Sequence, residues 1–248
     1  MTSFKAHRGY NLTELMIGLL LGGAVLVGLV QIFASSRQSY EVQTGQYSMQ
    51  QSGQFALQFL SREIRQAGYV DSPWESENLA AVMDTSEDNG SAGDKLALQY
   101  YSDRNCFGTK NTPTAKDSTP FQLKRLSFGL RENRQQLTWW CAYGPPEQET
   151  VVQINNQVLV DGIESFQVLY GEDSDRDGNP DQWVNAGDWG NPDNVAVITL
   201  ALLVSGETVA ASEADQNYSV LDYETGPISS NSKRELMQTS VALRNYLP

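Results

Sequence analysis

The sequence predicts an α+β chain: a long N-terminal α-helix, membrane-spanning over its first half, packed on an antiparallel β-sheet head. Three observations predict it. Leu15 to Ala34 reads LMIGLLLGGAVLVGLVQIFA, with Gln31 its one polar side chain and no charge. No proline interrupts the chain before Gly68. Beyond Gly68, segments of alternating apolar residues follow one another across Gly, Asn or Pro signals with no helical pattern between them, as antiparallel strands do.

The apolar run is twenty residues long, enough to cross a bilayer core of about 30 Å as a helix. Lys5, His7 and Arg8 precede it and the next positive charge is Arg37, so the positive-inside bias leaves the N-terminus in the cytoplasm and exports the rest. Three readings of this N-terminus are open. A secretory signal has a shorter apolar core followed by a small-residue cleavage site, whereas Ser35-Ser36-Arg37-Gln38 follows this one. A plain signal anchor does not account for Glu14, because a carboxylate at the edge of an apolar span costs on the order of 1 to 3 kcal/mol. In the third reading, cleavage between Gly9 and Tyr10 leaves the apolar run at the mature N-terminus with Glu14 as its fifth residue.

The helix continues to about Ala67. Leu57, Leu60, Ile64 and Ala67 fall on one stripe, and Tyr40 with Tyr47 and Val42 with Met49 repeat at seven. From Leu12 to Gly68 it would span about 85 Å at 1.5 Å per residue, with Gly68 as terminator. Asp71 to Pro120 is rich in loop-forming residues and holds one strand candidate, Lys95 to Tyr101. Phe121 to Leu130, Leu137 to Tyr143, Thr150 to Val160, Ser165 to Tyr170, Val195 to Val204 and Leu236 to Arg244 read as the remaining strands of a sheet. Ser205 to Arg234 is too long for a hairpin and is expected to wrap the sheet or meet a neighbour.

Composition excludes several functions. Seventeen basic against thirty acidic residues give a formal charge of -13, which leaves no basic footprint for nucleic acid. The one histidine is His7, before the apolar run, so the exported part lacks the base of Ser-His-Asp and Cys-His catalysis and the commonest zinc ligand. Carboxylate pairs could serve a glycosidase, but outside one cluster the acids are scattered, and the chain reads as a non-enzyme. Cys106 and Cys141 form an even pair in an exported region, most simply a disulfide. Closing that loop restricts the unfolded chain by about 3 to 4 kcal/mol, with metal ligation or a reactive thiol as the alternative.

The acidic cluster is Glu172 to Asp181. Asp173, Asp175 and Asp177, with Gly178 for the sharp turn, the backbone carbonyl of Asn179 in seventh place and Asp181 in ninth, follow the opening of a calcium loop. Val184 stands in the twelfth place, where a bidentate glutamate is usual, so Glu172, Asp188 or water would complete the shell. A strand precedes the loop, so it is not part of a helix-loop-helix hand. A solvated acidic turn is the competing reading, since these residues form turns by themselves. Against it, five acids within ten residues are offset by Arg176 alone, and a bound Ca2+ would relieve their repulsion. Trp139, Trp140, Trp183 and Trp189 are candidates for a binding surface, or for packing.

Gly9 before an aromatic residue, then Leu12-Thr13-Glu14-Leu15-Met16 and a glycine-containing apolar helix, resembles the class III signal of type IV pilins and type II secretion pseudopilins. The resemblance implies cleavage after Gly9 by prepilin peptidase, N-methylation of Tyr10, and a role for Glu14 in neutralising a neighbour's N-terminal ammonium during assembly. Phe59 to Tyr69, the Cys106 and Cys141 pair, Leu169-Tyr170-Gly171 before the acidic loop, Ala201 to Val204 and the ending Thr239 to Asn245 look together like the PilW family of minor pilins.

That likeness implies a pilin-like fold in four parts: a leader over 1–9, a transmembrane and filament-core helix over 10–34, its amphipathic continuation over 35–68, and a periplasmic β head over 69–248. It implies a single-pass protein of the bacterial inner membrane, moved into the pilus on assembly. The function implied is priming of type IV pilus assembly with other minor pilins and membership of the tip complex. Its partners would be those minor pilins, the major pilin, prepilin peptidase, the inner-membrane assembly machinery and a PilY-type tip adhesin. A J-type minor pseudopilin of type II secretion is the alternative, and a calcium-dependent membrane-anchored adhesin is one of a different class.

Overall fold

In the computed structural model, residues 11–71, 79–112, 120–131, 135–145, 151–208, 216–228 and 232–245 are described. One helix, α1 (Leu12–Gln66), carries the N-terminal sequence. It belongs to two compact units, 1–45 and 46–248. In the first unit no described residue is buried, and the large apolar side chains from Leu12 to Phe33 all face outward. This is the one described helix long and apolar enough to cross a membrane.

In the second unit the helix has a buried stripe. Met49, Gly53, Ala56, Leu60 and Ile64 are buried at steps of four, three, four and four, and Ala67 follows. Leu60 and Ile64 are fully enclosed, each contributing roughly 1.5 to 3 kcal/mol of burial. Leu57, expected on the stripe, lies at its half-buried margin, and Tyr47 stays exposed.

The strands are β1 (Leu96–Ser102), β2 (Gln122–Arg131), β3 (Gln136–Gly144), β4 (Val151–Asp161), β5 (Ile163–Glu172), β6 (Gln182–Val184), β7 (Val195–Thr208), β8 (Ser219–Val220), β9 (Tyr223–Glu224) and β10 (Ser232–Ala242). The seven segments expected to be strands are strands, with ends displaced by up to four residues. They build two four-stranded antiparallel sheets instead of one: β1-β2-β3-β4 and β10-β7-β5-β6, with β8-β9 as a separate hairpin.

The division occurs at Gly162. Its φ of +82° is open to glycine, and a Cβ there would sit 2.9 Å from the Ser205 carbonyl oxygen. The chain leaves β4, turns within one residue with Gly162 and Ile163 both donating to the Gln135 carbonyl, and enters the second sheet.

Both sheets and the helix share one core. Phe59 packs edge-on against Phe128 and Trp139 of the first sheet. On the second sheet Gly53 lies against Val204 and Met237, and a side chain at Gly53 would overlap Met237 Sδ. The long connection after β7 does wrap: Val220 of the hairpin is buried on Ala201 and Leu203 of β7.

Candidate functional site

Glu14 lies in the first turn of α1, exposed among exposed apolar side chains. The helix start is closed by Asn11, whose carbonyl accepts from the N–H groups of Glu14 and Leu15. An acid in the first turn complements the positive end of the helix dipole. Gly9 and Tyr10, the expected cleavage and methylation positions, lie outside the described residues.

Cys106 and Cys141 form a disulfide with a Cα–Cα distance of 5.9 Å. It ties the loop after β1 to the centre of β3. Cys106 N–H also donates to Gln153 Oε1 on β4 at 3.0 Å.

The acidic loop joins β5 to β6. Asp173, Asp175 and Asp177 each offer a carboxylate oxygen within 4.8 Å of the others. Asp173 is enclosed, though by its own loop and not by the core: its oxygens accept the N–H groups of Gly178 at 2.8 Å and Asp177 at 3.2 Å. Burial pushes its pKa up, and the N–H groups of Gly178, Arg176 and Asp177 bring it down below the usual range. Asp175 goes the other way. The N–H of Asp177 lowers its pKa, but the charge of Asp177, burial, the charge of Asp181 and the Asp173 side chain together raise it.

Arg176 (φ +61°) and Gly178 (φ +92°) supply the left-handed turns at the fourth and sixth places. Asn179 donates through its N–H and its amide to Asp177 Oδ1. Asp181 stands outside the close trio, with Oδ2 accepting from the Ser174 N–H at 2.8 Å.

Glu172 is turned away from the loop, accepting from Gln182 Nε2 and the N–H groups of Gly190 and Asn191. Burial raises its pKa, and those donors lower it below the ordinary range. The trio and the Gly178 turn fit the first half of a calcium loop. Glu172 does not fit as the completing ligand, because its oxygens are engaged elsewhere.

A family model described as PilW, Type IV Pilus-assembly protein W, matches residues 130–245. Over that segment, just under half of the chain, the sequence is similar to that family. The matched segment holds β3, Cys141, the acidic loop and the whole second sheet, whereas α1, β1 and Cys106 precede it. A type IV-like pilin from Thermus thermophilus is similar in structure, with a TM-score of 0.51 at 18% identity over 77% of this chain and 93% of that one. At that identity the likeness shows the fold, and the fold is pilin-like. No curated protein matches the chain.

Of the four tryptophans weighed as a binding surface, three pack within the head. Trp139 lies on Phe59, Trp189 stands edge-on to Tyr170 at 4.9 Å, and Trp140 is half-buried. Trp183 is 49% exposed.

Sequence reasoning missed two buried acids. Glu63 accepts from the Tyr100 hydroxyl, pairs with Arg62 Nη2 at 2.8 Å and lies 4.0 Å from Lys124 Nζ. Burial lowers the Lys124 pKa and Glu63 raises it in part. The signal for Glu63 was its place between Leu60 and Ile64, on the stripe itself. Asp94, just before β1, accepts from the N–H groups of Val168 at 2.7 Å and Asn89 at 3.2 Å. Burial pushes its pKa up to about 7 against the pull of those donors. It lies in a turn-rich stretch where an acid signals nothing.

Proposed function

We propose that the chain is a minor pilin that primes type IV pilus assembly together with other minor pilins and takes its place in the tip complex. The supporting observation is one combination: a PilW-family head on a helix whose outward-facing apolar half carries a single carboxylate at its start. In this reading residues 1–9 are the leader, prepilin peptidase cuts after Gly9, and Tyr10 is the methylated N-terminus.

Residues 10–34 form the transmembrane and later filament-core segment, 35–68 its continuation, and 69–248 the periplasmic head. Moving such a helix from lipid into a filament gains little from burial, since its surroundings stay apolar, so packing and polar pairs must set its register. Glu14 opposite a neighbour's N-terminal ammonium sets it, because leaving either charge unpaired in a low-dielectric core is costly. The head keeps its calcium loop folded through Asp173, Asp175 and Asp177, with Asn179 and Asp181 closing it. A tip adhesin of the PilY type is the expected outward partner.

Two measurements test the reading. Mass spectrometry of the mature protein is expected to find methylated Tyr10 at its start; an intact Met1, or a cut after residue 34, rules the processing out. Deletion is expected to remove surface pili and twitching. Piliated cells that fail to secrete exoproteins would mark a J-type pseudopilin instead.

A further inference from the structure

We infer that the groove between the end of α1 and the end of β10 receives an acidic peptide segment of another protein. Two sequence segments far apart in the chain meet there: the helix end Arg62-Glu63-Ile64-Arg65 and the ending Val241 to Asn245. The meeting is built. Asn245 Nδ2 donates to the carbonyls of Gln66 and Ala67 at 3.2 and 3.1 Å, capping the helix C-terminus and holding the chain end against it. Gly68 N–H donates to the Gln99 carbonyl and Tyr101 N–H to the Tyr69 carbonyl, which fixes the floor.

The resulting groove, about 280 Å³, is lined by Arg65 and Arg244 with Tyr69, Tyr101 and Phe121 beside them. Among the described residues neither guanidinium makes a hydrogen bond or ion pair. Among the described residues, Glu63 is turned into the core toward Tyr100 and Lys124, and Asp103, the one carboxylate in the lining, faces Lys110 Nζ at 3.9 Å.

In a chain of charge -13, two arginines with no partner among the described residues, on one groove, are a local reversal of sign. Charge complementarity therefore selects an anionic occupant. A guanidinium binds a carboxylate through two parallel hydrogen bonds, and the paired rings of Tyr69 and Phe121, 6.1 Å apart, offer flat surfaces to aromatic or apolar side chains between the acids. The occupant is thus a segment that carries carboxylates together with aromatic or apolar side chains. None of this depends on the minor-pilin reading, since it concerns binding of an acidic peptide by the head.

Fluorescence anisotropy on the full-length protein in detergent micelles, with labelled acetyl-Glu-Tyr-Glu-Tyr-Glu-amide as the probe, tests it. Saturable binding that weakens with added salt is expected, with affinity about tenfold lower in Arg65→Gln and in Arg244→Gln. Arg244→Glu is expected to prefer the same peptide with lysine in place of glutamate. Both arginines are exposed, so an unchanged thermal midpoint verifies that the variants fold. No binding up to about 1 mM, equal affinity for the lysine peptide, or binding unmoved by the substitutions overturns the inference. In cells, a photo-crosslinker at Tyr101 is expected to join an acidic stretch of a different protein. Adducts confined to this chain, or mapped to a stretch without acids, also overturn it.

Discussion

At the scale of single residues, Glu63 and Asp94, two of the buried acids, meet burial in different ways. Glu63 collects partners: Arg62, Lys124 and the Tyr100 hydroxyl surround it. Removing one member of a buried pair strands the other, at roughly 3 to 5 kcal/mol. Glu63→Ala is therefore expected to lower the urea midpoint strongly, whereas Glu63→Gln, which still accepts from Tyr100, costs less; equal midpoints would show that Lys124 does not need this partner. Among the described residues no ion pair reaches Asp94, and burial raises its pKa to about 7 from an ordinary 3.8. The folded chain thus retains this proton up to about pH 7, while the unfolded chain loses it near pH 4. Stability falls as pH rises between those values and is level above them. Glu172 and Asp173, held below the usual range, act in the opposite sense and only on acidification below about pH 4.5, outside that window. The thermal midpoint should therefore be higher at pH 5 than at pH 8, and Asp94→Asn should flatten the slope. A slope unchanged in Asp94→Asn assigns the pH dependence elsewhere.

At the scale of elements, the acidic loop shows how far sequence reading reached. The turn chemistry was legible because Gly178 and the alternate acids are local signals, and the backbone N–H groups of Asp177 and Gly178 do close the loop on Asp173. The like charges that raise the Asp175 pKa are what a cation would relieve. Ca2+ at a hundred times its dissociation constant would add about 2.7 kcal/mol. A chelator is expected to lower the thermal midpoint of the wild type and leave Asp175→Ala unmoved; no chelator effect on the wild type returns the loop to a solvated turn. The buried helix stripe and the seven longer strands were legible for a similar reason, since periods of 3.6 and 2 are written in the order of residues. Partner choice is not local. Nothing in Thr150 to Tyr170 tells a hairpin from a crossing between sheets, because Gly162 serves either; the deciding contact is with Ser205, more than forty residues away. β6, β8 and β9, of three, two and two residues, are too short for any alternation to register. Glu63 and Asp94 escaped because residue type gives exposure as the default for acids, and only the tertiary fold reverses it.

At the scale of the whole molecule, charge and apolar surface are segregated by unit. From Leu12 to Ser36 the described helix carries one charge, Glu14, while the acids that set the net charge of -13 lie almost entirely in the second unit. A helix with that outward-facing surface needs an apolar surrounding at every stage, first lipid and then other helices in the proposed assembly. Insertion depends on the apolar run as a sum, to which one edge carboxylate is a small perturbation of about 1 to 3 kcal/mol. In the proposed assembly, pairing depends on the carboxylate, because Gly18, Gly22, Gly23 and Gly28 would permit close helix approach in several registers. The two steps are therefore separable by one substitution. Glu14→Ala is expected to leave membrane insertion and N-terminal processing intact, and to lower crosslinking to partner subunits and the number of pili. Glu14→Asp, with the charge kept but one methylene shorter, should fall between the two. Pilus number and crosslinking equal to wild type in Glu14→Ala would remove the carboxylate from assembly and leave the apolar run as an anchor alone.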